Sequence, residues 1–405
     1  MTAFIDRSLR IALAILTVWA GGVETTRCFA DDPPAMLKVR VSGDGKRFVL
    51  GESGQIFIPW GFNYLGKFGQ LVEDSWEKDW PRLERDFCEM RKLGANVVRI
   101  HLQFGTYMKG PDEFDQSQLA RLRKLLDLAR ETGLYLDLTG LSCYRLDQIP
   151  VWYDTLAETD RWSVQARWWT EVARTCADHP AVFCYDLMNE PVIGGAPKEG
   201  EPRWVGGELG GFYFIQWISR EGKGGRTNDE IAAAWVAKLT SAIRKQDPET
   251  LITVGVIPWA QIWPTARPVF YSPEAAKHLD FVSPHVYPGK DQVDRALHAL
   301  AVYDIGKPLV VEETFPLACS LDDMNRFVDG GRDRVDGWVS HYFGSTIEEH
   351  RKEATPHGTT SDVLFHATVA EFLTYWREKG KVVAAPPMGA VQKTSSSPPG
   401  RCDRP

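Results

Sequence analysis

Residues 182–191 read VFCYDLMNEP, an apolar run that ends in an amide, a carboxylate and a proline. Such a run is typical of a strand buried inside a parallel sheet. Because proline cannot continue a β-ladder, the chain must turn at Pro191, which places Asn189 and Glu190 at the carboxyl end of the predicted strand. In a β/α barrel that end is the face on which active sites are built, so Glu190 is the first candidate for chemistry.

Seven further strand candidates share the chain with this stretch, and helical patterns separate most of them. Strict alternation of strands and helices predicts a parallel sheet with right-handed crossovers, and eight such units close an α/β fold of the (β/α)8 TIM-barrel type. A doubly wound open sheet is the alternative, but no glycine-rich phosphate loop follows the first strand. The predicted strands are residues 56–63, 96–101, 134–139, 182–191, 251–256, 281–287, 308–313 and 336–341.

The N-terminus, residues 1–30, has the pattern of a secretory signal peptide. A positive region with Arg7 and Arg10 precedes the apolar run 11–20, and small residues at Cys28 and Ala30 resemble a cleavage site. The apolar run is short for a membrane span, although an uncleaved anchor is the alternative. We therefore expect a secreted or periplasmic protein with no stable membrane insertion after signal cleavage.

The rest of the chain is predicted to form one barrel domain, residues 31–383. Its first part, residues 31–50, alternates weakly and predicts a hairpin that caps the barrel from below. A glycine-rich insertion, residues 192–227, follows the fourth strand and is predicted as a long loop of the kind that is usually functional or disordered. The tail, residues 384–405, is rich in proline, serine and glycine and is predicted to be disordered.

Composition excludes some classes of partner and indicates another. A net charge of −7 and a pI near 5.8 provide no basic field for nucleic acid. The fifteen tryptophans are numerous, and aromatic faces commonly stack on sugar rings, with core packing as the alternative for each. The aromatic residues in loops after predicted strands are Tyr64, Tyr144, Trp152, Trp204, Trp217, Trp259 and Trp263. Cysteine spacing matches neither a disulfide framework nor a zinc site, although a Cys143–Cys319 bridge is conceivable.

Several predicted strands end in polar groups, which a strand buried on both faces does not carry without a partner or a function. A structural ion-pair network, such as Arg99 with one glutamate, is the alternative to a catalytic site. Two glutamates on different strands fit glycoside hydrolysis, which needs a proton donor and a carboxylate at the anomeric carbon. In this hypothesis Arg99 and Tyr287 hold Glu313 ionised by charge and by hydrogen bonding. Asn189 would bind the neighbouring sugar hydroxyl, and His285 would contact Glu190 or a sugar hydroxyl.

The ordered set of these motifs resembles glycoside hydrolase family 5, the cellulase-like retaining glycosidases with a (β/α)8 fold. The matching pieces are GANVVRI at 94–100, NEP at 189–191, HVY at 285–287 and KPLVVEE at 307–313, and the resemblance spans residues 45 to 380. It implies that Glu190 is the acid/base and Glu313 the nucleophile. The residues implied to support them are Arg99, Asn189, His285, Tyr287 and Trp338.

Three positions leave alternatives open. Glu312 is a rival nucleophile, but strand alternation allows only one of the adjacent glutamates to face the mouth, and the spacing from Lys307 favours Glu313. The family often has a histidine at the end of the third strand, where this chain has Thr139. The family tryptophan near the end of strand eight corresponds to Trp338, but His341 or Tyr342 could take that place.

The sequence thus predicts a monomeric, secreted retaining β-glycosidase that acts on a cellulose-like or mannan-like carbohydrate. No metal and no organic cofactor is expected, since no paired-cysteine, HExxH or Walker motif is present. The long fourth loop could block one end of a cleft and favour exo action. The alternatives are a carbohydrate-binding barrel without catalysis and a transglycosylase that uses the same residues.

Overall fold

The computed structural model describes residues 35–66, 70–354 and 359–384. Within these ranges, Tyr342 is described by its backbone only. The predicted signal segment lies outside the described residues, as does the predicted tail from residue 385 onward. Within the described part of the chain, none of the helices combines the length and apolar character needed to span a bilayer.

Eight parallel strands close into a barrel, as the alternating pattern predicts. Seven of them belong to one continuous parallel sheet. The short sixth strand pairs with the fifth at Gly255 and Val256 and joins the seventh through the bridge between Val282 and Leu309. In chain order the strands are Trp60–Tyr64, Val97–Gln103, Tyr135–Ser142, Val182–Asp186, Leu251–Thr253 with Gly255–Val256, Ser283–Pro284, Val310–Val311 and Gly337–Phe343.

Helices surround the barrel and bury their apolar faces against its strands. Local signals set their ends: Asp115 accepts hydrogen bonds from the first turn of the second outer helix, and Gly133 ends that helix in the left-handed conformation. The main outer helices are Trp80–Lys92, Gln116–Thr132, Glu158–Cys176, Asn228–Arg244, Val293–Tyr303, Leu321–Gly331 and Thr360–Val383. Shorter ones are Val72–Lys78, Phe104–Tyr107, Val151–Asp154, Trp259–Ile262, Pro273–Ala276 and Ile347–Glu353.

A small antiparallel sheet closes the amino end of the barrel, where a capping hairpin is predicted. It has three strands, Val39–Val41, Phe48–Leu50 and Gln55–Phe57. Phe48 and Phe57 pack on Phe183 at the start of the fourth barrel strand. This end of the barrel is therefore filled by apolar side chains, and the polar groups of the strands lie toward the other end.

The insertion after the fourth strand is not the loop that its glycine content predicts. It forms a three-stranded sheet in which Phe212–Ser219 is central, flanked by Pro191–Ile193 and Val205–Leu209. Trp217 explains two of the glycines, because a Cβ atom at Gly194 or Gly206 would lie 2.6 or 2.2 Å from its indole ring. The glycines make room for an aromatic side chain that holds the sheet together.

Two further expectations need correction. The predicted strand 56–63 is two strands, Gln55–Phe57 of the cap and Trp60–Tyr64 of the barrel, because Pro59 interrupts the ladder between them. Cys143 and Cys319 do not form the conceivable bridge, since both are free thiols.

Candidate active site

Arg99 stands at the centre of the barrel mouth with its side chain fully buried. Its Nη1 donates to Glu313 Oε1 at 2.5 Å and to Asn63 Oδ1 at 2.9 Å. Its Nη2 donates to Asp186 Oδ2 at 2.7 Å and to Asn189 Oδ1 at 3.1 Å. One guanidinium on the second strand thus joins the ends of the first, fourth and seventh strands. Arginine can do this because its planar fork carries several donors, which lysine lacks.

Glu313 is held as a carboxylate by the groups around it. Tyr287 donates its hydroxyl to Glu313 Oε2 at 2.6 Å, while Arg99 binds the other oxygen. Burial raises the pKa of Glu313, but the positive charges of His285 and Arg99 outweigh burial and bring it well below the ordinary range. Glu313 is therefore ionised at neutral pH.

His285 lies between three carboxyl groups. Its Nδ1 is 3.0 Å from Glu190 Oε1 and 3.6 Å from Glu313 Oε1, and its Nε2 is 3.3 Å from Glu312 Oε2. Burial lowers the pKa of His285, but the charge of Glu313 and the hydrogen bonds to Glu190 and Glu312 raise it to about 10. His285 is accordingly a buried imidazolium that donates on both sides at neutral pH.

Glu190 has the opposite protonation behaviour from Glu313. Burial raises the pKa of Glu190, and the hydrogen bond from His285 only partly opposes that effect. The backbone of Glu190 is left-handed, with φ of 45°, and its N–H donates to Gly255 O at 2.8 Å. A non-glycine residue in this region is uncommon and is retained where surrounding contacts impose it, here directing the carboxyl to His285.

The two glutamates approach each other closely. Oxygens of Glu190 and Glu313 and a ring nitrogen of His285 all lie within 4.8 Å of one another. The side chains are almost enclosed, with residue exposures of 9% for Glu190 and 7% for Glu313. The mouth therefore holds two carboxyl groups side by side, one whose pKa is raised and one whose pKa is lowered.

The insertion sheet supports this arrangement from outside the barrel. Asn189 donates its amide Nδ2 to the backbone oxygen of Phe214, on the central strand of the insertion. Tyr213, one residue earlier, donates its backbone N–H to Tyr144 O. The insertion is thus hydrogen-bonded to Asn189, at the end of the fourth barrel strand, and to Tyr144, in the loop after the third barrel strand.

Comparison with known proteins agrees with this fold. The family model described as cellulase, glycosyl hydrolase family 5, matches residues 62–318. The chain belongs to glycosyl hydrolase family 5. The match covers more than half of the chain and includes every strand that contributes to the cluster around Arg99 except the eighth.

Individual relatives of this family 5 chain are distant. A probable mannan endo-1,4-β-mannosidase C of Aspergillus terreus is 23% identical over 234 residues, 52% of this chain and 52% of that protein. An exo-β-1,4-mannosidase from Opitutaceae bacterium strain TAV5 superposes with a TM-score of 0.61 at 17% identity, over 85% of this chain and 63% of that one. The catalytic domain of a Thermobifida fusca endoglucanase superposes with a TM-score of 0.54 at 16% identity, over 85% and 97%. The chain thus spans about half the length of the curated relative it matches.

Among the family 5 positions predicted from sequence, Trp338 is the one that the structure does not bring to the cluster. It pairs with Trp60 in the lower part of the barrel, and its fully buried ring packs edge-on against Phe327 of an outer helix. His341, three residues later, lies instead near the mouth, with its ring centroid 6.3 Å from that of Tyr287. Burial and the Arg99 charge lower the pKa of His341 despite the opposing effect of Glu313.

Sequence reasoning missed three buried residues of the site, which are Asn63, His101 and Asp186. Asn63 accepts from Arg99 and lies 3.0 Å from His101 Nε2, and Tyr144 OH lies 2.6 Å from His101 Nδ1. Asp186 is bound by Arg99 and by Thr139 Oγ1. The available signal was period-two spacing, since His101 follows Arg99 by two residues and therefore shares its face of the strand.

Glu312 also lies inside the barrel, which the alternation argument excluded. It is fully buried below Glu313, 3.6 Å from Arg99 Nη2. Regular strand structure ends at Val311, so the two glutamates that follow need not point to opposite faces. Glu313 is the one of the pair with solvent access.

Most of the candidate sugar platforms are core residues. Tyr64, Tyr144 and Trp204 are buried, and each has a hydrogen bond inside the protein. Trp152 is half-buried and donates to Lys109 O, and Trp217 packs within the insertion. Trp259 and Trp263 differ, because they are 36% and 58% exposed with ring centroids 5.5 Å apart.

One group among the described residues has the spacing of a metal site, and it is Glu190, His285 and Glu313 themselves. The ring nitrogen of His285 that faces the two carboxyls carries a proton at neutral pH, since the pKa of His285 is raised to about 10. A metal ligand must offer a lone pair, so the protonated imidazole fits a hydrogen-bonding role.

Proposed function

We propose that this family 5 protein is a retaining β-glycosidase with Glu190 as acid/base and Glu313 as nucleophile. The observation that carries the proposal is the approach of their carboxyl oxygens to within 4.8 Å. Retaining enzymes hold their two carboxyls about 5 Å apart, whereas inverting enzymes leave roughly 6.5–9.5 Å for a water molecule. The pKa of Glu190 is raised and that of Glu313 is lowered, which favours the protonation states that the two roles require.

In the first step Glu313 attacks the anomeric carbon while Glu190 donates its proton to the departing oxygen. A glycosyl ester forms on Glu313, the bond to the leaving group breaks, and the proton remains on the released hydroxyl. Arg99 and Tyr287 bind the attacking carboxylate and fix its direction. Asn189 keeps one amide hydrogen for the sugar hydroxyl next to the reacting carbon, since Phe214 occupies the other.

In the second step Glu190 acts as a base. Esterification removes the negative charge of Glu313, which is one of the causes that raise the pKa of Glu190. The pKa of Glu190 then falls, and His285 favours the ionised form through its hydrogen bond. Glu190 takes a proton from water, the water oxygen attacks the anomeric carbon, and the ester on Glu313 breaks.

The leaving group has a place beside Glu190. A cavity of about 300 Å³ opens there, and its lining includes Glu190, Tyr287, Gln261, Ile262 and Arg295 but not Glu313. A sugar in this cavity would lie next to the proton donor and away from the nucleophile. The names of the relatives favour a β-1,4-linked mannan or manno-oligosaccharide as substrate, with a β-1,4-glucan second. Export, as predicted from residues 1–30, suits a polymeric substrate.

The test is release of reducing ends from β-mannans and β-glucans by wild type and by Glu313→Ala. Removal of the nucleophile is expected to lower kcat at least roughly a thousandfold while the fold is unchanged. Proton NMR of the first product formed should show the β-anomer before mutarotation. An α-anomer, or undiminished activity of the variant, would contradict the proposal.

The same assay separates the other readings. A barrel that only binds carbohydrate would retain sugar without cleaving it, and a transglycosylase would form longer products at high acceptor concentration. The length of the first products distinguishes exo from endo action, because an exo enzyme releases one short unit from the start of the reaction.

A further inference from the structure

Beneath the two glutamates of the mouth lies a second pair of carboxyl groups, Asp137 and Glu312. Both side chains are fully buried. Among the described residues, no arginine, lysine or backbone N–H donates to either oxygen of Asp137 or to the Oε1 of Glu312, and Asp137 faces Glu312 and Cys184 instead. Each carboxyl lies close enough to affect the ionisation of the other. Two adjacent carboxylates in a dry interior cannot both be ionised, so the pair requires one shared proton.

The surroundings place that proton on Asp137. Burial and then the charge of Glu312 raise the pKa of Asp137 well above its ordinary value. Burial also raises the pKa of Glu312, but Arg99 and His285 reverse the effect and lower it. Glu312 is therefore the anion of the pair, and its Oε2 receives the Nε2 proton of His285 at 3.3 Å.

We propose that the buried Asp137–Glu312 pair is a counter-ion that, together with Glu313, keeps His285 charged and oriented, and that it thereby helps to set the pH range in which Glu190 can donate its proton. Glu312, His285 and Glu190 form a continuous chain, with His285 between the other two at 3.3 and 3.0 Å. The proton of Asp137 stays on Asp137 throughout, so no proton is transferred along the chain. Glu312 is a positioning residue, and this inference rests on the proposed role of Glu190.

The other titratable groups around Glu312, His285 and Glu190 are consistent with a negative charge on Glu312. Arg99 pairs with Glu313 and Asp186 and lies 3.6 Å from Glu312, and His285 lies 3.3 Å from the same Glu312 oxygen, so the charge of Glu312 acts on both cations. The remaining titratable neighbours are neutral at pH 7, because burial raises the pKa of Cys184 and Tyr271 and lowers that of His101 and His341. The titratable and charged groups around Glu312 are Arg99, Asp137, Cys184, Asp186, Tyr271 and His285. Those around His285 are Arg99, His101, Glu190, Glu312, Glu313 and His341.

The test is the pH profile of kcat/KM for Glu312→Gln beside Asp137→Asn. Glu312→Gln removes one of the anions that favour the charged form of His285, so Glu190 loses part of the cationic influence that favours its ionisation. Glu190 then keeps its proton to higher pH, and the alkaline limb should move up by about one pH unit, as expected for loss of a nearby charge. Asp137→Asn replaces a neutral carboxyl with a neutral amide of similar shape, and the limb should stay in place.

The opposite pattern would overturn the assignment. An unmoved alkaline limb in Glu312→Gln, with or without loss of kcat, would leave Glu312 a purely structural role. If the alkaline limb of the kcat/KM profile shifted in Asp137→Asn and not in Glu312→Gln, Asp137 would be the ionised member of the pair.

A second measurement, made on the wild type, tests the proposal even if the Glu312→Gln variant fails to fold. In wild type labelled with ¹⁵N-histidine, both ring nitrogens of His285 should remain protonated through pH 8. A neutral His285 at pH 7 would overturn the proposal. This measurement needs no activity, so it is decided separately from the question of whether the wild type cleaves any glycoside.

Discussion

At the scale of single residues, the site depends on one position without a side chain. Gly255 lies on the fifth strand, where a Cβ atom would be 2.5 Å from Glu312 Oε2, 2.7 Å from His285 Nε2 and 2.8 Å from Arg99 Nη2. Its backbone also takes part, because Gly255 O accepts from Glu190 N–H. The charged network is thus packed directly against the main chain of a neighbouring strand.

Gly255→Ala is therefore expected to displace the network as a whole. Overpacking of this kind costs typically about 1–3 kcal/mol of stability. The larger effect should be on kcat/KM, which we expect to fall roughly a hundredfold because small displacements of catalytic groups have that order of effect. Gly43→Ala is the matched control, since a Cβ atom there meets nothing within 4 Å. Equal activity of the two variants would show that the network tolerates displacement.

At the scale of elements, the chain order of strand-end residues was enough to predict the barrel and most of the cluster. Arg99, Glu190 and Glu313 meet because parallel strands bring their carboxyl ends to one face, whatever the details of each strand. Their catalytic roles remain proposals. The sequence could not give the point at which each strand stops being regular, and that point decides the side-chain directions of Glu312 and Glu313. The same uncertainty along strand eight misplaced Trp338, which lies too far from the mouth, while His341 lies near it.

The insertion shows a second limit of sequence patterns. Glycine content indicated a loop, but Gly194 and Gly206 accommodate the ring of Trp217 within a sheet. Which large residue fills the space at a glycine depends on a strand pairing between distant residues, and no local pattern records it.

The short helix Trp259–Ile262 is the element that we expect to hold the distal part of a substrate. It follows the fifth strand, and Ile262 lines the cavity beside Glu190. Trp259 begins this helix and Trp263 directly follows it, and both expose their rings, which are tilted against each other. Aromatic stacking contributes about 0.5–1.5 kcal/mol for each pair, so Trp263→Ala should raise KM for a long oligosaccharide up to roughly tenfold.

A disaccharide or an aryl glycoside should be unaffected by the same change, because neither reaches the exposed rings. Steady-state kinetics with oligosaccharides of increasing length measure the difference. Trp152→Ala serves as a control at a half-buried indole on another short helix, Val151–Asp154, which follows the third strand. A uniform increase of KM across all lengths in Trp263→Ala would argue against a platform.

At the scale of the whole molecule, the two ends of the barrel have different compositions. The amino end holds a cluster of apolar side chains under the three-stranded cap, including Phe48, Phe183 and Phe281. The carboxyl end holds the charged network around Arg99. Stability and chemistry should therefore be separable by substitution, as in barrels generally.

Phe48→Ala tests that separation. Phe48 is fully buried and meets Phe183 and Phe281 edge-to-face with ring centroids 5.4 and 5.2 Å apart. Loss of such a side chain typically costs about 3–5 kcal/mol, which should appear as a lower denaturant midpoint. The kcat/KM of the folded protein should stay within about twofold of wild type, because Phe48 packs in the amino-end cluster, at the opposite end of the barrel from the network around Arg99. Leu364→Ala, at a position 66% exposed, is the control for stability. If activity fell in Phe48→Ala with an unchanged midpoint, the cap would have to act on the site, and the division between the two ends would be wrong.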